Sequence, residues 1–359
     1  AAAYAAGRHE SIETAARALR YARLNRCAAQ YGIARIATAH TADDNLETML
    51  FHLARGTGTR GFAGIPPVRG AVIRPLWTAT RAEIEQYLAE SGQDFVVDSS
   101  NLSADYTRNR IRQRVVPVLR DINPGCAGAA SRLAARLRED DETLCLLAEQ
   151  ALGQADMAAD VPLEAFRQPP AIQGRMLTAL LRRAGVPMHA VTARHMEQLT
   201  DLLAAGRARS MSLPGSFCAY HEAGRLRILF EPERPPVPLF DGFHGRLWDT
   251  STILTVKTKK SGQVFHKTCD TFLADCGTIH FGTLAARPPQ PGDRLTLPGA
   301  RGARQLKRLM ADRGLSPSAR ARLAVVADAA GIVLAQGVGV EISRVPRGGE
   351  IVEFRFEGL

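Results

Sequence analysis

Paired cysteines are missing from this sequence. Its six cysteines, Cys27, Cys126, Cys145, Cys218, Cys269 and Cys276, stand apart, and none belongs to a Cys-x-x-Cys pair. That argues against zinc ribbons and dithiol redox motifs. A chain of 359 residues needs no disulfide staple, so reduced thiols and a cytoplasmic location are expected. No run approaches the ~18 apolar residues that cross a bilayer, so no membrane role is expected. No Gly-Lys-Ser/Thr follows a glycine-rich stretch, which removes a Walker A loop. No internal repeat is visible. The start, Ala1 to Gly7, is alanine-rich without a basic leader or an initiating Met. It reads as a chain joined partway through rather than a signal peptide.

Hydrophobic residues make up 45% of the chain, enough for packed cores, and the length predicts two or three domains. The formal net charge of +10 points to a polyanionic partner, with nucleic acid first. A genome that spends Arg for Lys is the blander account. The charge is localised: residues 287–322 hold nine Lys/Arg against two Asp.

Residues 8–125 alternate between helix and strand patterns. A helix capped by Ser11 and ended by Gly32 is followed by an apolar run, Ile33 to Ala39. A second helix carries Leu46, Met49, Leu50 and Leu53 at helical spacing. A glycine-rich loop spans Arg55 to Pro67. Then come a strand at Val72–Ile73, a helix from Thr80 to Glu90 and a strand at Phe95–Val97. This rhythm predicts an α/β fold with a doubly wound parallel sheet over residues 1–125. Asn123-Pro124-Gly125 breaks the pattern. Residues 126–231 predict a helical domain ending in a hairpin around Glu222-Ala223-Gly224. Residues 232–286 predict a proline-rich linker and a β-rich stretch with Lys257, Lys259, Lys260 and Lys267. Residues 287–359 predict a small basic α+β domain with a helix from Arg304 to Arg313 and strands near Ile332–Ala335 and Glu350–Phe356.

Four features can carry chemistry. His40 to Thr48 lies where a strand ends and a helix begins, the usual ligand position of open α/β sheets. Asp43, Asp44 and Glu47 share that first turn, where the helix dipole favours anions, and such oxygens hold Mg²⁺ or an ammonium group. An ordinary acidic first turn has the same pattern. Arg55-Gly56-Thr57-Gly58-Thr59-Arg60 through Gly64 suits a loop over phosphate, or a plain flexible loop. Asp98-Ser99-Ser100-Asn101, then Tyr106-Thr107-Arg108-Asn109-Arg110-Ile111-Arg112, is dense in arginine forks that grip phosphate oxygens, or is an exposed basic helix start. In the tail, Arg304, Lys307 and Arg308 flank an apolar face of Leu306, Leu309 and Met310. They contact RNA phosphates or form a solvated face.

The order and spacing of these features resemble the bacterial tRNA(Ile)-lysidine synthases, of the N-type ATP pyrophosphatase (PP-loop) group. The resemblance rests on Ala16-Arg17, Arg20-Tyr21, Ala37-Thr38-Ala39-His40, Asp43-Asp44, Glu47-Thr48, the Arg55–Gly64 loop with Pro66-Pro67, and Arg74-Pro75-Leu76. It continues through Arg81, Glu83-Ile84, Tyr87-Leu88, Asp98, Ser100-Asn101, Arg108-Asn109, Ile111-Arg112 and Asn123-Pro124. It departs at Thr41, Asn45 and Leu46. The family's Ser-Gly-Gly-x-Asp-Ser loop occurs nowhere in the 359 residues. The fold implied is adenine nucleotide alpha hydrolase-like, its first strand and phosphate loop missing, followed by the helical domain (126–231) and the small α+β domain (287–359), both of which the resemblance implies bind tRNA. The 359 residues alone are therefore expected to be inactive.

The resemblance implies adenylation by ATP of the C2 oxygen of the wobble cytidine in the CAU anticodon of tRNA(Ile). Attack by L-lysine then yields lysidine. It also implies Mg²⁺. In that reading Asp44 and Glu47 contact lysine or Mg²⁺, and Arg108 and Arg112 stabilise phosphate or adenylate. His40, Asp43, Arg55, Gly56, Gly58, Arg60 and Asn109 hold the nucleotide, while Arg304, Lys307 and Arg308 contact the tRNA. A homodimer is the assembly considered. The alternatives are a related PP-loop tRNA thiolation enzyme, which paired cysteines would favour, and a tRNA-binding fragment that does not use ATP.

Overall fold

The computed structural model describes residues 12–96, 107–153, 159–248, 251–260 and 270–358. The chain forms two compact units, residues 1–146 and 147–359.

In the first unit, α1 (Ile12–Gln30) precedes β1 (Ile36–Ala37) and α2 (Ala42–Arg55). A short helix, α3 (Thr59–Phe62), lies in the glycine-rich loop, followed by β2 (Val68–Arg69), β3 (Val72–Ile73) and α4 (Arg81–Glu90). Then come α5 (Thr107–Arg110), a wide π-type turn over Ile111–Val115, α6 (Val116–Ile122) and the long α7 (Cys126–Leu152). The described sheet has the order β1-β3-β2. Its β1/β3 pair is parallel and its β2/β3 pair antiparallel. This corrects the expectation of a parallel sheet throughout. Strands of two residues joined by a tight turn, with Gly70 at φ 59°, pair only as a hairpin. The expected strand at Phe95–Val97 is also corrected for its described part. Phe95 and Val96 join no ladder, and Val96 is 96% exposed. Val97 lies outside the described residues.

α2 starts where it does because Thr41 is an extended N-cap. Its hydroxyl takes the Asp44 N–H, and the Asp44 carboxylate takes the Thr41 N–H at 2.9 Å, closing a capping box. Its buried stripe is Ala42, Asn45, Leu46 and Met49, one turn earlier than the apolar spacing predicts, and Leu53 is exposed. Asn45 sits among apolar neighbours because its amide oxygen accepts the Ile65 N–H at 2.7 Å. Leu46 and Met49 pack with Trp77, Ile111, Val116 and the start of α7. Each of these two side chains contributes about 1.5–3 kcal/mol by burial.

Gly64 closes that core with φ 66°, and a Cβ there would lie 2.3 Å from the Asn45 amide oxygen. Gly64→Ala is expected to cost about 2 kcal/mol or more, from a left-handed backbone plus a displaced buried acceptor. Chemical denaturation checks this, and a loss below about 0.5 kcal/mol would show that the loop relaxes freely.

In the second unit, α8 (Pro170–Arg183) and α9 (Ala193–Leu203) cover a four-stranded sheet of order β4-β7-β6-β5. Its strands are β4 (Asp160–Pro162), β5 (Arg209–Leu213), β6 (Phe217–Glu222) and β7 (Arg225–Phe230). Ala223 and Gly224, at φ 50° and 70°, turn β6 into β7. Met176, Leu177, Leu180, Leu181, Leu199 and Leu226 are fully buried there.

Among the described residues the rest of the unit holds a two-stranded sheet, Arg294–Leu295 with Arg304–Gln305, and two larger sheets, both fed from either side of residue 286. Val237–Pro238 pairs with Ala285–Ala286, which pairs in turn with Val325–Asp328. Ile253–Lys260 pairs along its whole length with Glu350–Glu357. α10 (Leu306–Asp312) is shorter than the sequence pattern predicts, and a further helix, α11 (Pro317–Arg322), follows it. Leu306, Leu309 and Met310 are buried, as the apolar spacing requires.

Three carboxylates stiffen this unit. Burial alone would raise the Glu222 carboxyl, but the Ser318 hydroxyl and N–H, together with Arg227, hold it below the usual range. Burial likewise opposes ionisation of Asp293 and Asp328, and Arg287 and Arg344 outweigh it. Carboxyls depressed by folding add stability above their unfolded values of about 4, and that stability is lost as pH falls through the folded values. The melting temperature of this unit is therefore expected to drop steeply below about pH 4. A melting temperature constant from pH 5 to 2.5 would overturn this.

Candidate functional site

The site begins where β1 ends. Thr38, whose N–H donates to the Ile73 carbonyl at 3.0 Å, leads to His40, Thr41 and the N-terminus of α2. β3 runs parallel beside β1 and leads into Arg74, so two carboxyl strand ends open on the same side. His40 Nδ1 lies 3.0 Å from the Thr38 hydroxyl. Burial pushes the His40 imidazole below its ordinary value. Asp44 opposes that, while Arg74, Arg17 and Arg108 reinforce it. His40 is therefore neutral at pH 7.

The structure separates the two aspartates. Asp43 is buried and fully engaged: it accepts the first N–H of α4 from Arg81 at 2.6 Å and an Arg120 Nη2 bond at 2.6 Å. It ties α2, α4 and α6 together. Asp44 is about a third exposed and receives Arg112 at 3.3 Å. Glu47, one turn on, has a side chain only 4% exposed and takes two bonds from Arg112, Nε at 2.6 Å and Nη2 at 3.0 Å. Burial raises the Glu47 carboxyl, opposed chiefly by the Arg112 hydrogen bond. In return Glu47 strengthens the hold of Arg112 on its proton. Arg108 donates to the Thr48 hydroxyl at 3.3 Å, and that hydroxyl donates to the Asp44 carbonyl at 2.8 Å. Residues 60 to 77 positions apart thus form one charged cluster at the head of α2.

A Mg²⁺ ion takes about six oxygens. Of the four carboxylate oxygens of Asp44 and Glu47, three face Arg112 and the fourth takes Thr41. Among the described residues no group of three His, Cys, Asp or Glu converges on a metal position. These two acids do not by themselves fit the ion, and their counter-charge here is Arg112.

The remaining sequence candidates are spread more widely. Arg55 stacks on Phe51, with its guanidinium carbon 5.0 Å from the ring centre. Gly56 and Gly58 border open space, and Arg60 is exposed on α3. Asn109 is half-buried on α5. Asp98, Ser99, Ser100, Asn101 and Tyr106 lie outside the described residues. In the second unit, Lys307 and Arg308 lie on the exposed side of α10, and Arg304 pairs with Asp312 at 2.6 Å.

Sequence patterns did not single out Arg120, Arg138 or His52. Arg138 spans the Ala63 and Ile65 carbonyls and lies 4.8 Å from the Trp77 ring centre. His52 Nδ1 lies 2.6 Å from the Gly61 carbonyl and fixes the glycine-rich loop to α2. None belongs to a local motif, so no sequence signal marks them.

Comparison with known proteins covers both units. A PP-loop domain family matches residues 2–119, and the TilS substrate C-terminal domain family matches residues 284–350. A tRNA(Ile)-lysidine synthase of Geobacillus kaustophilus is 31% identical over 90% of this chain and 72% of its own length. One of Deinococcus deserti is 32% identical over 95% of this chain and 53% of its own. One of Dehalococcoides mccartyi is 38% identical over 59% of this chain and 48% of its own. The chain thus spans about half the length of the two latter relatives. The crystal structure of TILS C-terminal domain covers 36% of this chain and 94% of that chain at 20% identity, with a TM-score of 0.29, too low to argue from. The extent of the Geobacillus match, with a PP-loop domain at one end and a TilS C-terminal domain at the other, places this chain in the tRNA(Ile)-lysidine synthase family.

Proposed function

We propose that the protein carrying this chain converts the wobble cytidine of the CAU anticodon of tRNA(Ile) to lysidine, using ATP and L-lysine. The observation that carries the reading is the Arg112 fork on Glu47 and Asp44 at the carboxyl end of β1. In the first step the cytidine C2 oxygen bonds to the α-phosphorus of ATP, and pyrophosphate leaves. In the second the lysine ε-amine attacks C2, the C2–O bond breaks and AMP leaves. The amine must shed its proton first.

Both steps are mostly positioning and charge balance. Asp44 and Glu47 offer negative charge to an ammonium group, and Arg112 and Arg108 offer donors to phosphate oxygens. The Arg55–Gly64 loop, anchored by His52 and Arg138, covers the adenylate and keeps water from it. The test uses the full-length protein with ATP, Mg²⁺, lysine and unmodified tRNA(Ile). Lysidine in the digested tRNA, with equimolar pyrophosphate, is expected. Absence of lysidine, or equal modification of the CAU-bearing methionine tRNA, would overturn the reading.

A further inference from the structure

Arg74 is a buried arginine that faces no counter-charge among the described residues. It follows β3, and the bond from the Thr38 N–H to the Ile73 carbonyl sets it beside the end of β1, at the candidate site. It is only 6% exposed. Nη1 donates to the Pro66 carbonyl at 2.5 Å. Nε is buried with no acceptor, and among the described residues neither Nε nor Nη2 has a carboxylate in reach. The arginines around it are committed elsewhere. Arg112 is held by Glu47 and Asp44, Arg120 by Asp43, and Arg138 by the Ala63 and Ile65 carbonyls and the Trp77 ring.

Holding the Pro66 carbonyl does not require a charge, since a neutral donor makes the same bond. A guanidinium taken out of water is costly unless an anion faces it. The unpartnered edge specifies that anion. Nε and Nη2 point the same way and together make two parallel bonds to a carboxylate, as Arg112 does with Glu47 at 2.6 and 3.0 Å. One edge suits one singly charged group with two oxygens, whereas the triphosphate of ATP calls for several cations or a metal. His40 lies within electrostatic reach of both Asp44 and Arg74, so an acid and an unpaired cation share one neighbourhood. An amino acid with an ammonium at one end and a carboxylate at the other uses both.

We propose that Arg74 receives the α-carboxylate of lysine and so selects lysine over simple amines. The proposal rests on lysine being the attacking amine and adds the residue that recognises its other end. The full-length protein is given ATP, Mg²⁺, unmodified tRNA(Ile) and either lysine or lysinamide, in which a neutral amide replaces the carboxylate. The modified nucleoside is then measured in the digested tRNA. The parent is expected to prefer lysine in kcat/KM by at least about 30-fold, the effect of removing one partner of a buried charge pair. In Arg74→Met the preference should fall to about threefold or less, with the KM for ATP changed less than about twofold. Arg74→Lys keeps a charge and a donor for Pro66 but not the two-bond edge, so its preference should lie between the two. It carries the test if Arg74→Met does not fold. A parent that uses both amines equally, a folded variant with the parental preference, or a rise in the KM for ATP with that preference intact would overturn the assignment. Failure of the synthase reading is distinct: the parent would then modify the tRNA with neither amine.

Discussion

Glu47→Ala and Asp44→Ala in the full-length protein are each expected to abolish lysidine formation while changing tRNA affinity less than about twofold. Each variant removes negative charge that would orient a lysine ammonium and steady Arg112. Arg112→Ala is expected to lose activity as well, and to be the less stable protein. Removing Glu47 leaves a guanidinium that is one-third exposed and can hydrate, whereas removing Arg112 leaves a buried carboxylate without its counter-charge. Breaking a fully buried pair in that direction costs about 3–5 kcal/mol, and partial exposure of Arg112 lowers this to about 2–3. Without Arg112 the Glu47 carboxyl rises further, because burial and the Asp44 charge are then opposed only by Arg108. A carboxyl raised by folding holds its proton longer than in the unfolded chain. Its stabilising effect is therefore present below the unfolded value of about 4.3 and lost as pH rises through the folded value. The Arg112→Ala protein should accordingly melt higher at pH 5 than at pH 8 relative to its parent. Near-parental turnover in Glu47→Ala or Asp44→Ala, with unchanged dependence on lysine, would remove these residues from the mechanism. Arg112→Lys tests the fork itself, since an ammonium cannot make both bonds in one plane, and activity should fall there with little loss of stability.

The second large effect concerns α10. Neutralising Arg304, Lys307 and Arg308 together is expected to flatten the salt dependence of tRNA binding by about two units, one each from Lys307 and Arg308. Arg304 contributes less, because Asp312 at 2.6 Å competes for it. The helix itself should survive, since Leu306, Leu309 and Met310 hold it from the opposite face. Deleting residues 287–359 is the cruder alternative, and the structure shows why it misleads. The deletion removes the partners of Ile253–Lys260 and of Ala285–Ala286, and so opens both larger sheets. A triple variant that folds normally and binds with unchanged affinity and slope would make this charge a solvated surface.

The residue order by itself determined much of this molecule. The start of α2 was legible because Asp43, Asp44 and Glu47 stand at the head of an apolar spacing, but Thr41 as its cap and the buried stripe one turn earlier were not. The β6–β7 hairpin was legible from its turn residues, and the buried face of α10 from helical spacing. The arginine-rich stretch was legible as a composition, but not as a partner. Only the tertiary structure decided that Arg112 rather than Arg110 or Arg114 grips Glu47, that Asp43 is consumed in holding helices while Asp44 faces the site, and that Glu222 clamps Ser318. The reason is physical. Local signals reflect backbone propensities that neighbouring residues fix, whereas hydrogen bonds and ion pairs between residues 38 to 96 positions apart depend on where whole helices come to rest. Burial then decides which of several equivalent charges must find a partner, and no spacing along the chain encodes it.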